Sequence, residues 1–278
     1  MTIIDFHAHA FPDSLAPRAI AQLTINAASS GYIPLTDGTI QGLIHSMDRS
    51  GIDRSVVCNI ATNARQMTKV NDFAISCAEN KRLIPLGSLH PDAPAERMDQ
   101  ELNRISAAGL PGIKIHPDYV HIELDDPAFE PILARCEARG MLVVTHAGFD
   151  PVEPDHIHCT PDMVLRVLKR HPLLKLVVAH TGGFDCEKEV LEKLCGTHVY
   201  LDTSLAAVRR ARSAGWGNSC GDILRSHDPN RILFATDTPW SDPLSEIAFV
   251  RSLGLSDQTL EKIFHHNAEL LLASCIEY

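Results

Sequence analysis

Short apolar runs rich in β-branched residues return eight times along this chain of 278 residues, and helical patterns lie between most of them. The middle runs are continuously apolar, which is typical of parallel strands that are covered on their outer side. Eight strands alternating with helices over this length predict an α/β fold, a single (β/α)8 TIM barrel that spans residues 1–278 as one domain. The eight runs are TIIDFHAHA, SVVCNIA, LIPLGSLHP, GIKIHPDY, MLVVTHAGF, KLVVAHTGGF, HVYLDTS and RILFATDTPW.

Local signals between the runs support this division. Thr160 before Pro161 and Asp126 before Pro127 each predict an N-cap followed by proline at the first helical position. A doubly wound open sheet is the alternative fold, but no Gly-x-Gly-x-x-Gly opens a helix after any strand. We interpret the longest irregular segment, residues 11–37, as an excursion over the barrel mouth. Residues 149–159 and 205–220 are typical of further active-site loops.

The net charge is −10, and no cluster of lysine and arginine stands out, which argues against nucleic acid or an anionic membrane as the main partner. Eight cysteines are spread without a Cys-x-x-Cys pair, a pattern typical of reduced thiols in a cytosolic protein. No run reaches the ~18 to 20 apolar residues of a membrane helix. We therefore expect a soluble, cytoplasmic protein that acts on a small molecule.

Polar residues that can bind metals follow several of the predicted strands, at the end where barrels of this kind carry their active sites. The period of two in a strand places His7 and His9 on one face, so that a single strand can present two imidazoles to one cation. A single histidine at a strand end is more often a structural residue, but the joint pattern would be costly to bury without a cation or mutual hydrogen bonds. The later members are Lys114, His116, His146, His180 and Asp237.

The motifs DFHAHAF, GIKIHPDY, VVTHAG, VVAHTGG, FATDTPW and HHNAELLL cover nearly the whole chain. With them the sequence resembles the amidohydrolase superfamily, in its amidohydrolase-related branch of aminocarboxymuconate-semialdehyde decarboxylase-like enzymes and small lactonases. The resemblance implies a distorted barrel with a divalent metal, commonly Zn²⁺, at the strand ends. It also leads us to expect a homodimer.

The resemblance further implies roles for single residues. His7, His9 and His146 would bind the metal through nitrogen, and Asp237 would add an oxygen and accept a proton from metal-activated water. His180 would stand beside the metal to orient that water, to deprotonate it or to polarise the substrate. Three imidazoles and one carboxylate suit Zn²⁺ and leave a position for water or substrate, so the chemistry of these residue types agrees.

Several assignments stay open at the level of sequence. Lys114 occupies the strand on which binuclear superfamily members carry a carboxylated lysine, but we favour an unmodified lysine that pairs with a substrate carboxylate. We accordingly favour one metal ion over two; with two, His180 becomes a ligand as well. His116 would contact substrate or support the site, and Trp240 would wall the pocket.

The sequence allows two roles for each of three further residues. Asp5 would either orient a ligand histidine from behind or cap the start of its strand. Arg209 and Arg210 follow the seventh strand, where they would meet an anionic group or simply be solvated.

These features predict a metal-dependent hydrolase that uses activated water on a small, carboxylate-bearing cyclic amide, lactone or ester. The alternative is a metal-dependent, non-oxidative decarboxylase of a small unsaturated or aromatic acid, because both chemistries use the same ligands. A metal-dependent deoxyribonuclease is disfavoured by the acidic charge and by the lack of a glutamate on the fourth strand. A barrel without catalysis, serving as a binding or scaffold protein, is the remaining alternative.

Overall fold

The computed structural model describes residues 1–208 and 219–276. Within these ranges it contains eight strands, and each of the eight predicted runs contributes one of them. Their sequence order is therefore as predicted. The strands are β1 (Ile4–Ala8), β2 (Arg54–Cys58), β3 (Leu83–Leu86), β4 (Gly112–Ile115), β5 (Leu142–Thr145), β6 (Lys175–Val178), β7 (Tyr200–Asp202) and β8 (Ile232–Leu233).

All neighbouring strands are parallel and follow one another in sequence, as β1-β2-β3 and as β4 to β8. Backbone hydrogen bonds join the two sets at both edges. Between β3 and β4, Gly87 accepts from Lys114 N at 2.8 Å and donates to Gly112 O at 3.0 Å. Between β1 and β8, Phe6 N donates to Phe234 O at 2.8 Å. The strands thus close into the predicted (β/α)8 barrel, and an open sheet is excluded.

Helices follow most of the strands and pack around the barrel. No helix among the described residues is both long and apolar enough to cross a bilayer. Short π-helical turns extend α8 to Leu194 and connect α11 to α12. The helices are α1 (Ala16–Asn26), α2 (Ile40–Ser50), α3 (Met67–Cys77), α4 (Ala95–Ala107), α5 (Pro117–Val120), α6 (Glu130–Ala138), α7 (Pro161–Arg170), α8 (Glu187–Glu189), α9 (Ser219–Ser226), α10 (Pro243–Arg251), α11 (Asp257–Glu261) and α12 (Asn267–Ile276).

The two predicted helix starts have different outcomes. Thr160 caps α7, because its hydroxyl accepts the backbone N–H of Met163. Asp126 does not start a helix, and α6 begins four residues later, at Glu130. The Asp126 carboxylate accepts the N–H of Ala128 at 2.8 Å, two residues on, which stabilises a turn in place of the first turn of a helix.

The interior of the barrel is apolar below the site. One buried cluster takes alternate residues from six strands, for example Phe6, Leu86 and Val144, together with Leu271 of α12. This helix covers the lower end of the barrel, where Lys175 Nζ donates to the backbone carbonyl of Ser274. The core therefore fills the barrel from its floor and leaves the carboxyl ends of the strands to polar residues.

A bulge in β1 decides which side chains reach that upper end. Between Asp5 and Ala8, β1 has one residue more than β2 opposite. Phe6 belongs to the interior cluster, whereas Ala8 packs with the outer helices. The extra residue reverses the alternation of the strand, so that His7 and then His9 follow Phe6 on the inner side.

Candidate active site

His7, His9 and Asp237 meet where β1 ends and where the chain leaves β8. Asp237 Oδ1 lies 3.1 Å from His9 Nε2 and 3.5 Å from His7 Nε2. All three side chains are largely buried, and the backbone N–H of Asp237 donates to His7 O at 2.8 Å. The closing edge of the barrel therefore joins residues that are 230 positions apart in sequence.

The outer nitrogens of both histidines are engaged elsewhere. His9 Nδ1 donates to the carbonyl oxygen of Cys58 at 2.9 Å, and His7 Nδ1 donates to Asp202 Oδ2 at 2.8 Å. Burial and the charge of Lys114 lower the pKa of His7 to about 4, although Asp202 acts in the opposite direction. A neutral imidazole has one N–H only, so the Nε2 atom of each ring presents a lone pair toward Asp237.

These three atoms fit a divalent cation. Burial would raise the pKa of Asp237, but its contacts with His9 and His7 and the charge of Lys114 hold that pKa below its usual value, so the carboxylate is ionised. Two imidazole lone pairs facing a carboxylate oxygen repel one another unless positive charge lies among them. Ligands held about 2.1 Å from a tetrahedral ion are about 3.4 Å apart, which agrees with the separations of 3.1 and 3.5 Å to Asp237 Oδ1.

Lys114 supplies positive charge to this group. Its side chain is 1% exposed, and its Nζ lies 3.2 Å from His7 Nε2. Because an ammonium can only donate, this contact is further support for a lone pair on that nitrogen.

His146 and His180 form the next part of the site. His146 Nδ1 lies 3.0 Å from His180 Nε2, and the rings of His7 and His180 stack with centroids 5.3 Å apart. His180 Nδ1 donates to Ser204 Oγ at 2.9 Å, and Ser204 in turn donates to Asp202 Oδ1 at 2.5 Å. Asp202 therefore fixes His7 directly and His180 through Ser204.

Two of these residues have strained backbones. His180 has φ of 57° and Asp237 has φ of 68°, a left-handed conformation that side chains with a β-carbon adopt rarely. Such conformations persist where the surrounding structure enforces them, and they cluster at active sites. The strain thus falls on two residues for which the sequence predicted catalytic roles.

A second group of possible ligands lies beside the first, and consists of His116, His146 and Asp150. The rings of His116 and His146 stack at 4.2 Å with 10° between their planes. Imidazole lone pairs lie in the ring plane, so two nearly parallel rings cannot both point at one ion between them. The contacts within this group are therefore aromatic and polar, with His116 Nε2 3.5 Å from Asp150 Oδ2, and burial holds the pKa of His116 well below its usual value.

A cavity of about 780 Å³ opens above both groups, a size that suits a small ligand. Trp240, His116 and the predicted loop at residues 149–159 contribute to its wall. Residues 11–37 do lie at the mouth, but they are not irregular, because α1 forms there. The chain turns one stripe of this helix toward the cavity, with residues at a helical spacing: Leu15, Arg18, Ala19, Gln22, Leu23 and Asn26.

Of the predicted site residues, the structure brings His7, His9 and Asp237 together. His146 and His180 contact each other beside this group. Lys114, His116 and Trp240 line the same cavity. Arg209 and Arg210 lie outside the described residues.

Sequence reasoning missed Asp202 and Ser204. The run HVYLDTS carried a signal for them, because its polar residues end the seventh strand as the histidines end other strands.

Asp5 does not contact an imidazole. Its carboxylate accepts the backbone N–H groups of His7 at 3.1 Å and Thr236 at 2.9 Å, and the hydroxyl of Thr236 at 2.7 Å. Burial raises its pKa to about 7, against the lowering effect of these bonds. Asp5 therefore holds the β1 backbone to the segment after β8, and supports His7 only through the main chain.

The comparisons with known proteins agree with this architecture. A family model described as Amidohydrolase matches residues 4–273. A curated relative, 2-amino-3-carboxymuconate-6-semialdehyde decarboxylase of Dictyostelium discoideum, is 38% identical over a match that covers 50% of this chain and 47% of that protein. The match thus spans about half the length of the relative.

Solved structures share the fold over nearly the whole chain. An uncharacterized TIM-barrel protein from Bordetella bronchiseptica has a TM-score of 0.74 and 20% identity, covering 99% of each chain. A 5-carboxyvanillate decarboxylase from Novosphingobium aromaticivorans, complexed with manganese, has a TM-score of 0.69 and 17% identity, covering 98% of this chain and 96% of that one.

These findings correct one expectation. The sequence led us to expect hydrolysis first and decarboxylation as the alternative, but the curated relative and the manganese-containing structure are both named as decarboxylases. The preference for a hydrolase was therefore wrong. The motifs identify only the metal ligands, and the same ligands serve either reaction. The sequence motifs therefore could not distinguish hydrolysis from decarboxylation.

The family model accounts for 270 of the 278 residues, from β1 to α12. It includes every strand of the barrel and each residue of the His7, His9 and Asp237 group. The chain belongs to the amidohydrolase family.

Proposed function

We propose that this protein is a metal-dependent, non-oxidative decarboxylase of a small unsaturated or aromatic acid. The observation that carries the proposal is the convergence of His7 Nε2, His9 Nε2 and Asp237 Oδ1 beside the buried ammonium of Lys114, in a cavity that suits a small ligand. The names of the relatives favour decarboxylation over hydrolysis. In this reaction the bond to the carboxylate breaks, CO₂ leaves, and the electron pair stays on carbon until a proton joins it.

His7, His9 and Asp237 would hold the cation, with His146 as a further ligand from the side of His180. When bound, the cation would supply the positive charge that withdraws electrons from the substrate as the bond breaks. Manganese in a similar structure and the nitrogen-rich ligand set favour Mn²⁺ or Zn²⁺. We propose one ion per chain, because the stacked rings of His116 and His146 suit a second one poorly.

Lys114 would bind the acid. Its ammonium contacts His7 Nε2, and it loses this acceptor once that nitrogen binds a cation. A buried ammonium without an acceptor is costly, so a substrate carboxylate in the cavity would be a favourable replacement. Arg18 and Lys69 also line the cavity.

His180 would deliver the proton to carbon. Ser204 accepts from its Nδ1, so its Nε2, which lies 3.0 Å from His146 Nδ1 in the cavity wall, is the atom that would carry this proton. Asp202 accepts from Ser204 and from His180 N at 3.0 Å, and thereby fixes the orientation of the ring. Asp237 would assist as a base that takes a proton from water and passes it on, which restores the proton that His180 gives up.

The reaction product distinguishes decarboxylation from hydrolysis. Purified protein loaded with Mn²⁺ or Zn²⁺ is incubated with a panel of small acids, and released CO₂ is measured beside opening of lactone or amide rings. We expect CO₂ to appear in proportion to consumed acid. Ring opening without CO₂ would overturn the proposal, as would elemental analysis that finds no divalent metal in the active protein.

Replacing Lys114 by methionine should lower kcat/KM about 10- to 100-fold, the loss that corresponds to one buried hydrogen bond to a charged group. Metal content should stay unchanged. The exposed Lys81→Met is the matched control, since it removes the same charge near the opposite end of the barrel. If Lys114 is instead a carboxylated metal ligand, the variant loses metal, and that outcome contradicts the proposed pairing with substrate.

A further inference from the structure

Asp118, which the mechanism above does not use, lies at the centre of a buried group. It follows β4 directly, in α5, and its side chain is fully buried. Three imidazoles surround its carboxylate. Oδ1 is 3.2 Å from His158 Nδ1, and Oδ2 is 3.8 Å from both His146 Nε2 and His116 Nδ1.

The atoms around this carboxylate are poorly satisfied. Asp118 Oδ2, His146 Nε2 and His116 Nδ1 are buried, and none of them makes a hydrogen bond within the described part of the chain. An unsatisfied buried polar atom costs about 1–3 kcal/mol, so three of them in contact point to a shared function.

His146 can present a lone pair to a cation through Nδ1 only if its proton is on Nε2. The partner of the outer nitrogen decides which tautomer a ligand histidine adopts. His7 and His9 have such partners in Asp202 and the carbonyl of Cys58. For His146, the carboxylates near Nε2 are Asp118 and Asp150, each at 3.8 Å.

We propose that, once a cation is bound, Asp118 is a positioning residue that accepts the Nε2–H of His146, now 3.8 Å away, and so directs Nδ1 of that ring from His180 to the metal. This inference rests on the metal site of the proposed function. Asp118 suits the task better than Asp150, because it is absent from the cavity wall and is held by His158, whereas Asp150 lines the cavity. His158 fixes the carboxylate from behind, as Asp202 fixes Ser204.

The test is the affinity of metal-free protein for Zn²⁺, measured by competition with a chromogenic chelator. Asp118→Asn should bind Zn²⁺ about 10- to 100-fold more weakly, the usual effect of losing such a partner of a ligand histidine. With its oxygen held by His158, the new amide would turn an N–H toward His146 Nε2 and favour the wrong tautomer. Glu101→Gln is the control, since it neutralises a buried carboxylate on α4, away from the site, and should leave the affinity unchanged.

A second measurement does not depend on how the variant folds. Long-range ¹H–¹⁵N spectra of the Zn²⁺-loaded wild type should show His146 protonated at Nε2, the signal being assigned by its loss in His146→Gln. Protonation at Nδ1, or an Asp118→Asn protein that binds Zn²⁺ as tightly as wild type, would overturn the inference and leave the proposed function intact. A wild type that binds no divalent metal would overturn both.

Discussion

Replacing Asp237 by asparagine should lower the rate of decarboxylation about 10²- to 10⁴-fold, the range for loss of a positioned acid–base group. Asparagine keeps the volume and one oxygen but removes the negative charge. That charge is present at neutral pH, because His9, His7 and Lys114 hold the pKa of Asp237 below its usual value in spite of burial. The variant should also bind the cation more weakly, since the only carboxylate of the His7 and His9 group is lost.

The measurements are kcat with saturating metal and the metal content after dialysis. Asp92→Asn is the matched control, because this carboxylate is 77% exposed and lies on the loop after β3, outside the cavity wall. A D237N protein that keeps its metal and more than a tenth of the wild-type rate would contradict the role assigned to this residue.

Removal of the metal should have the largest effect of all, complete loss of CO₂ release together with loss of stability. Without a cation, the lone pairs of His7 and His9 and the charge of Asp237 depend on Lys114 alone for compensation. An ion present at 1,000 times its Kd stabilises the folded state by about 4 kcal/mol. For a chain of this size that corresponds to a fall in Tm of about 10 °C on chelation.

The experiment measures activity and Tm before chelation, after chelation and after return of single metals. Mn²⁺ or Zn²⁺ should restore both quantities, whereas Ca²⁺ should restore neither, because it prefers oxygen ligands to imidazole nitrogen. Full activity in protein with less than about a tenth of an ion per chain would refute a metal-dependent mechanism.

Sequence reasoning worked best where the signal is local. The alternation of apolar runs with helical patterns depends on the period of each segment, and it gave all eight strands in the right places. The cap at Thr160 is likewise local and was confirmed, whereas Asp126 could equally begin a turn. For α1, the stripe from Leu15 to Asn26 mixes polar and apolar residues because it faces a cavity, so an amphipathic pattern was not visible.

The site was predictable in part for the same reason. Parallel strands of one barrel end at the same rim, so residues after the strands must approach one another, and His7, His9 and Asp237 do. The contacts behind them were not predictable. Whether Asp5 or Asp202 reaches the imidazole of His7 depends on the reach of side chains across strands and on the bulge in β1, and no local pattern reports either.

The sequence by itself determined the order of the strands and the residue types at their ends, because backbone periodicity and side-chain polarity act between near neighbours in the chain. Only the tertiary structure decided which carboxylate faces which ring, and hence which nitrogen of each histidine carries its proton. The physical reason is range: hydrogen bonds such as that from His7 to Asp202 join residues 195 positions apart, and they exist only once the barrel has closed.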